Sequence, residues 1–278
     1  MDIDNIKNLP SIRQTVEKYE IWASKKLGQN FIFDQNLTAK IVNHSNVIDN
    51  DVILEIGSGP GGLTRQLVLS KASKVLAVEV DKRALSALEE LKEVSNGKLE
   101  IISQDALKIS IKDLAKKYNV DKIKIIANLP YNIATKLLTD WLEDFDFISS
   151  ITVMVQKEVA QRICSKKDSK SYSRLSVICQ LYYHCNILFD VDKRCFTPAP
   201  KVTSSVIYLE PKKTLPKFNK KRLEEILLAC FSMRRKMLKA NLKKIFDNPI
   251  QSLTNLNINP ENRAENLSVE DFCKMSLL

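Results

Sequence analysis

Histidine is scarce in this chain, and its cysteines are not arranged in pairs. Only His44 and His184 occur among the 278 residues, and neither has a second ligand at helical or turn spacing. None of the six cysteines belongs to a CxxC or CxxH pair, and most lie in apolar stretches such as SVICQLYY. We therefore predict reduced core cysteines, no metal site and no mechanism built on histidine.

Long apolar runs are also missing. No run approaches the roughly eighteen residues that indicate a membrane span. The first ten residues, MDIDNIKNLP, have neither a basic start nor an apolar core, so we expect no secretory signal and a cytoplasmic location. No internal repeat, heptad pattern or long apolar stripe demands a dimer, and we expect a monomer without a membrane partner.

Positive charge is abundant and unevenly placed. The net charge is +10 with a pI near 9.2. From Lys212 to the end there are 14 Lys or Arg against 7 Asp or Glu, so +7 of the +10 lies in the last quarter. Such asymmetry favours a polyanionic partner, nucleic acid before membrane. A basic solvent-exposed surface is the simpler alternative, which charge alone leaves open.

Alternating strand and helix patterns define most of the chain. Strand-like runs cover 51–57, 74–80, 98–103, 122–128 and 150–156, with amphipathic segments between them. Strands that are apolar on both faces and separated by helices predict a parallel sheet covered on both sides. Two later runs, 185–191 and 202–210, predict an antiparallel edge. We expect an α/β domain over residues 1–212, N-terminal extension included, and a basic helical domain over 213–278.

A glycine-rich loop follows the first of these strands. Gly57, Gly59 and Gly62 in EIGSGPGG fit G-x-G-x-x-G, and Gly57, Gly59 and Gly61 equally fit G-x-G-x-G. Glu79 ends the second strand, where a carboxylate can hold ribose hydroxyls. The pattern predicts a cofactor with an adenine nucleoside and leaves open whether it is a dinucleotide.

Asp105 lies just past the third strand. There a carboxylate can accept a hydrogen bond from an adenine amino group. Capping of the following helix is the alternative role. Gly57, Glu79 and Asp105 thus lie at the ends of three successive strands, and each offers a contact to the cofactor.

The fourth strand ends in Asn128-Leu129-Pro130-Tyr131, without a glycine. An exocyclic amine on a nucleobase is a poor nucleophile because its lone pair is delocalised into the ring. An Asn oxygen and a backbone carbonyl can accept both of its N–H bonds, while proline fixes φ. Tyrosine offers a surface on which a flipped-out base can stack. Such a site works by positioning and needs no charged base, although a turn asparagine and a core tyrosine are each plausible alone.

These four residues resemble the (D/N/S)-P-P-Y motif of S-adenosylmethionine-dependent adenine-N6 methyltransferases, and the leucine variant resembles the ribosomal RNA adenine dimethylases. The resemblance runs from about residue 20 to the end, and its last motif is similar to the KsgA-type small-subunit enzymes. The motifs that carry it, in order, are KKLGQNF (25–31), EIGSGPGGLT (55–64), EVD (79–81), QDAL (104–107), NLPYNI (128–133), FTPAPKVTSSV (196–206) and FSMRRKMLKANL (231–242).

The resemblance implies a Rossmann-like methyltransferase sheet with a smaller all-α C-terminal domain. Its reaction would be N6,N6-dimethylation of two adjacent adenosines near the 3′ end of 16S rRNA in an immature 30S subunit. The Asn128 side chain and the Leu129 carbonyl would hold the amine, with Tyr131 and Phe196 stacked on either face of the adenine. Contacts to S-adenosyl-L-methionine are implied at Asn30, Ile32, Gly57, Gly59, Glu79, Asp105 and Asn128.

The segment FSMRRKMLKANLKK is the strongest candidate for RNA binding. If it is helical, Phe231, Leu238 and Leu242 pack inward and the cations face outward within three turns. Phosphate contacts of this kind give affinity and little sequence reading. The candidate RNA-binding residues are Arg234, Arg235, Lys236 and Lys239, with Lys25 and Lys26 as weaker ones.

Three other functions fit parts of the sequence. The 23S rRNA dimethylases of antibiotic resistance share the first domain, although KKLGQNF and FSMRRKMLKANL favour the small-subunit type. A nicotinamide dehydrogenase is permitted by G-x-G-x-x-G but leaves NLPY unexplained. A ribosome-assembly factor without catalysis is the third alternative, against which the intact Asn128 and Tyr131 argue.

Overall fold

The computed structural model describes residues 3–24 and 28–278. The chain divides into two compact units, one of Met1–Ala160 and Asn186–Pro211, the other of Gln161–Cys185 and Lys212–Leu278. Segment 161–185, which the sequence placed in the first domain, thus groups with the C-terminal residues. The reason is apolar packing, since Tyr172, Val177 and Leu181 share a buried cluster with C-terminal helices.

The regular elements alternate as the sequence pattern predicts. In chain order they are α1 (Ile3–Lys7), α2 (Ile12–Lys18), β1 (Phe31–Ile32), α3 (Gln35–Asn43), β2 (Val52–Ile56), α4 (Gly62–Leu69), β3 (Lys74–Glu79), α5 (Lys82–Val94), β4 (Leu99–Ser103), α6 (Ile111–Lys117), β5 (Ile123–Asn128), α7 (Ala134–Asp140), β6 (Ile148–Gln156), α8 (Lys157–Cys164), α9 (Arg174–Tyr182), β7 (Tyr183–Val191), β8 (Phe196–Thr197), β9 (Ser204–Pro211), α10 (Lys220–Ser232), α11 (Leu238–Asn241), α12 (Pro249–Asn255) and α13 (Val269–Met275). No helix in the described ranges is long and apolar enough to cross a membrane.

The main sheet has seven strands in the order β4-β3-β2-β5-β6-β9-β7. The pairs from β4 to β6 are parallel, and β6 pairs with β9 in the antiparallel sense. This arrangement confirms the predicted α/β sheet. The strand order reverses between β2 and β5, and in open parallel sheets ligands bind at the carboxyl ends of strands beside such a switch point.

The central strands form because nearly every residue in them is apolar and buried. All five residues of β2 are buried, and so are the first five of β5. Side chains on both faces pack under helices, among them Leu67 of α4 and Leu88 of α5, which have no exposed surface. This packing holds the carboxyl ends of β2, β3, β4 and β5 in a row along one edge.

A second, two-stranded sheet joins distant motifs of the sequence. β1 pairs with β8 in the antiparallel sense, with Phe31 opposite Thr197 and Ile32 opposite Phe196. Both Ile32 and Phe196 are buried in the same core cluster. The start of the FTPAP motif is thereby fixed beside Phe31, the last residue of the KKLGQNF motif.

The second unit, Gln161–Cys185 with Lys212–Leu278, is called the C-terminal unit below. It has its own apolar core, which includes Leu227, Cys230 and Phe272. Leu238 and Leu242 are fully buried, as expected, but the predicted continuous helix through this basic segment is wrong. α10 ends at Ser232 and α11 begins at Leu238. The Asn241 side-chain amide donates a hydrogen bond to the Cys230 carbonyl (3.1 Å), so it caps the end of α10 and fixes the turn between the helices.

Candidate active site

A cleft of about 320 Å³ opens at the carboxyl ends of β2, β3, β4 and β5. This volume is within the range of small-molecule sites. The structure brings together ten of the predicted site residues at its walls: Asn30, Ile32, Gly57, Gly59, Glu79, Asp105, Asn128, Leu129, Pro130 and Tyr131. Residues far apart in sequence thus form one concave surface.

The glycine-rich loop forms the floor at the end of β2. Gly57 has φ +71°, and a Cβ there would lie 3.3 Å from the Pro130 ring. At Gly62, the first residue of α4, a Cβ would lie 2.7 Å from the Ile32 carbonyl oxygen. Glycine is required at both positions because the loop, β1 and the NLPY segment approach one another so closely.

Glu79 is fixed by backbone N–H groups. Its Oε2 accepts from Gly59 (2.8 Å), and its Oε1 accepts from Val80 (2.7 Å) and Asp81 (2.8 Å). The residue is only 5% exposed and lines the cleft. These bonds connect the strand-end carboxylate directly to the glycine loop, in the place that a ribose-binding acid needs.

Asp105 caps the turn that follows β4 and also lies at the cleft wall. One carboxylate oxygen accepts from the Leu107 N–H (3.0 Å) and caps the short 3₁₀ helix Ala106–Lys108. The residue is exposed and also lines the cleft. Capping therefore fixes its orientation without removing it from the cleft wall.

The amide of Asn128 is oriented by a neighbouring backbone group. Its Nδ2 donates to the Asn30 carbonyl oxygen at 3.1 Å. An amide that uses its nitrogen in this way presents its oxygen as an acceptor elsewhere. No described residue donates a hydrogen bond to Asn128 Oδ1. Asn30 thus contributes a structural contact that the sequence did not predict.

The backbone after Asn128 leaves a second acceptor. The Leu129 N–H donates to Met154 (3.2 Å), and the Pro130 carbonyl accepts from Ile133 and Ala134 at the start of α7. In the described part of the chain, nothing donates to the Leu129 carbonyl oxygen. The side-chain oxygen of Asn128 and the carbonyl of Leu129 are therefore two acceptors in adjacent residues of the cleft wall.

Tyr131 is half-buried at the end of this segment. Its hydroxyl forms a 2.5 Å hydrogen bond with the hydroxyl of Ser204, the first residue of β9. Burial raises the pKa of Tyr131, with the Ser204 bond acting in the opposite direction. The tyrosine therefore stays neutral at physiological pH, and its ring lines the cleft.

Phe196 is placed differently from the prediction. The ring is 3% exposed, packs in the core with Met154 and Val206, and is not part of the cleft wall. The cause is the pairing of β8 with β1, which turns Phe196 opposite Ile32. In this arrangement Phe196 is a core residue, and its stacking on the adenine stays a prediction.

A comparison with models of protein families identifies the family of this chain. The family model described as "Ribosomal RNA adenine dimethylase" matches residues 22–278. The chain belongs to the ribosomal RNA adenine dimethylase family. It is accordingly a methyltransferase that uses S-adenosylmethionine.

Curated relatives of this dimethylase are similar along nearly their whole length. A protein of Mesorhizobium japonicum named "Ribosomal RNA small subunit methyltransferase A" is 43% identical over 277 residues, which cover 98% of this chain and 99% of the relative. A Rhizobium etli protein of the same name is 42% identical over 274 residues, 98% of each chain.

Solved structures share the fold. A dimethyladenosine transferase from Plasmodium falciparum has a TM-score of 0.76 at 26% identity and covers 89% of this chain and 96% of that one. The 23S rRNA methyltransferase ErmE has a TM-score of 0.70 at 22% identity, covering 89% and 98%. The second likeness concerns the fold alone.

The residues of the cleft fit S-adenosylmethionine. Gly57, Gly59 and Glu79 line the cleft together, so the loop backbone and a carboxylate suited to ribose hydroxyls lie side by side. Asp105 is available for the adenine amino group beyond the next strand end. The bound cofactor supplies an electrophilic methyl group on a sulfonium.

Glu55 is a cleft residue whose importance the sequence analysis missed. It is 2% exposed in β2, and its Oε2 accepts from the Thr64 hydroxyl at 2.7 Å. Burial raises the pKa of Glu55 to about 7, the Thr64 bond lowers it, and nearby Glu79 raises it. A single charged residue inside the apolar run VILEI was the available signal.

We expect Glu55 to make stability decrease with rising pH. Its carboxyl titrates near 4.5 when unfolded and about 7 when folded, so between these values the folded state binds more protons. The free energy of unfolding should then fall with pH by roughly 1 kcal/mol per pH unit. Urea unfolding of wild type and Glu55→Gln between pH 5 and 7 measures this, since the variant lacks the titration. A constant difference between the two proteins would contradict it.

The predicted RNA-binding cations fall into two groups. Arg234 donates to the Lys170 carbonyl (2.8 Å) and pairs with Glu265 (3.0 Å), and Lys239 pairs with Glu261 (2.9 Å). Arg235 and Lys236 are exposed, and no ion pair with the described residues engages them. Lys25 and Lys26 lie outside the described residues.

Metal ligands are not clustered. Within residues 3–24 and 28–278, no three His, Cys, Asp or Glu side chains are grouped so that they could hold a metal ion.

Proposed function

We propose that this chain transfers methyl groups to N6 of two adjacent adenosines near the 3′ end of 16S rRNA, in an immature 30S subunit in the cytoplasm, and that it acts as a monomer. The observation that carries the proposal is the Asn128 amide, whose nitrogen is engaged by the Asn30 carbonyl at 3.1 Å. This leaves an oxygen acceptor beside that of Leu129, as recognition of an amine requires.

Each residue has a defined task in this proposal. Asn128 Oδ1 and the Leu129 carbonyl accept the two N–H bonds of the adenine amine, which favours a nitrogen lone pair directed out of the ring system. Tyr131 stacks on the flipped-out base. No general base is required, because the amine proton becomes acidic only after alkylation. Positioning supplies most of the rate.

The choice of the small subunit is supported by the relatives, and RNA binding by an exposed basic turn. The curated relatives named as small-subunit methyltransferases are 41–43% identical over 98% of this chain. The exposed turn between α10 and α11 carries Arg235 and Lys236 between two exposed methionines, Met233 and Met237. We propose this turn as the main phosphate contact, with Lys25 and Lys26 as further contacts.

We expect the two groups of cations to respond differently to substitution. Arg235→Ala/Lys236→Ala should weaken RNA binding and reduce the slope of log K against log salt by roughly 1.5–2, because two phosphate contacts are lost. Filter binding of 30S particles across a salt series measures the slope. Arg234→Ala is the matched control, since its ion pair and carbonyl bond act within the unit. Arg234→Ala should lower the melting temperature and leave the salt slope unchanged. Equal slopes for the two variants would contradict the division of the cations into two groups.

Methyl transfer to defined ribosomal particles tests the function. Labelled S-adenosylmethionine is supplied with 30S particles that lack the modification, and separately with 50S particles. We expect label as N6,N6-dimethyladenosine in 16S rRNA only. Label confined to 23S rRNA would assign the chain to the resistance type. If no label is transferred but the chain binds 30S particles tightly, the chain is a ribosome-assembly factor without catalysis.

A further inference from the structure

Tyr131 and Ser204 form a hydrogen bond between the cleft and the sheet. The two hydroxyls are 2.5 Å apart. Ser204 is fully buried at the start of β9, where it lies opposite Gln156 at the end of β6. The serine is therefore held by the ladder of the central sheet, while the tyrosine lies in the turn before α7.

A buried serine at this position calls for an explanation. A hydroxyl taken out of water is costly unless it is paired, and a small apolar residue would fill a strand position without that cost. Its neighbour Ser205 bonds to Asp190 at the sheet edge (2.6 Å). Ser204 bonds instead to the hydroxyl of Tyr131. Burial raises the pKa of Tyr131, so this hydroxyl stays protonated.

The bond limits how the Tyr131 ring can move. Pro130 fixes the backbone just before the ring. At the other end the hydroxyl is attached to the sheet through Ser204. A side chain held at both ends of the ring axis keeps one χ1 rotamer and one place in the cleft, whereas a ring held only at Cβ can change its χ1 rotamer.

We propose that Ser204 is a positioning residue that presets the χ1 rotamer of Tyr131, and with it the place of the ring as the stacking surface for the target adenine. The inference rests on the proposed function, because it assumes that Tyr131 stacks on a base. In this proposal the Tyr131 hydroxyl binds the sheet through Ser204, and the Tyr131 ring contacts the substrate.

Four variants test the proposal: Ser204→Ala, Tyr131→Phe, their combination, and Ser205→Ala as the control from the same strand. Either single loss removes the same bond, so each should lower kcat by roughly threefold to tenfold. The double variant should be no slower than either single variant. KM for the 30S particle should stay within about twofold, because the basic surface carries affinity.

An additional readout does not depend on activity. With ¹³C-labelled tyrosine, NMR should show one χ1 rotamer of Tyr131 in wild type and Ser205→Ala, and exchange between rotamers in Ser204→Ala. Unchanged χ1 populations, unchanged kcat, or additive losses in the double variant would each overturn the proposal. If wild type fails to methylate 16S rRNA, the proposed function is wrong, while the ring measurement still decides whether Ser204 fixes the ring.

Discussion

Replacing Asn128 by alanine should lower kcat for methyl transfer by about 10²–10³-fold, comparable to removal of one preorganised hydrogen-bonding group from an enzyme site. The substitution removes the oxygen that we propose as the acceptor for the amine, and the Nδ2–Asn30 bond that orients it. Single-turnover methylation of 30S particles measures the effect. Binding of the particle should change little, because its main contacts lie elsewhere.

Two further variants show whether the loss is specific. Asn36→Ala removes an exposed asparagine from α3 and should leave kcat unchanged. Asn128→Asp keeps an acceptor but replaces the donor by an oxygen that faces the Asn30 carbonyl, so it should also be slow. Wild-type activity in Asn128→Ala would contradict the assigned role of the amide.

Replacing Glu79 by glutamine should weaken binding of S-adenosylmethionine by about 10²-fold, since the two charge-assisted hydrogen bonds that we propose between Glu79 and ribose would be lost or weakened. The glutamine also has only one acceptor oxygen for the three backbone N–H groups of Gly59, Val80 and Asp81. Isothermal titration calorimetry without RNA measures the affinity.

The control for this prediction is Glu89→Gln, which changes an exposed carboxylate on α5. Its affinity for the cofactor should equal that of wild type. A melting curve of Glu79→Gln without cofactor separates lost binding from lost folding. If folded Glu79→Gln binds S-adenosylmethionine within threefold of the wild-type affinity, Glu79 does not bind the cofactor.

Much of the fold was predictable because its signals are local. The apolar runs of β2, β3 and β5 agree with the predicted strands to within one residue at each end. The helical break after Ser232 was not predictable, because it depends on the Asn241 side chain bonding to the Cys230 carbonyl. The grouping of segment 161–185 with the C-terminal helices also depends on distant packing, which no local pattern encodes.

The site was predictable where residues follow a strand directly. Glu79 and Asn128 end their strands, and parallel pairing brings such ends together. Contacts from other segments were not predictable: the Asn30 carbonyl on Asn128, the Ser204 hydroxyl on Tyr131, and the β1–β8 pairing that buries Phe196. Each depends on tertiary register, which a sequence motif does not encode.

The most direct test of the central claim is mass spectrometry of the 3′-terminal fragment of 16S rRNA after reaction with wild type and with Asn128→Ala. The account predicts four added methyl groups with wild type, two on each of two adjacent adenosines. With Asn128→Ala it predicts almost none, although particle binding is retained. Methyl groups at another position, or equal methylation by both proteins, would contradict it.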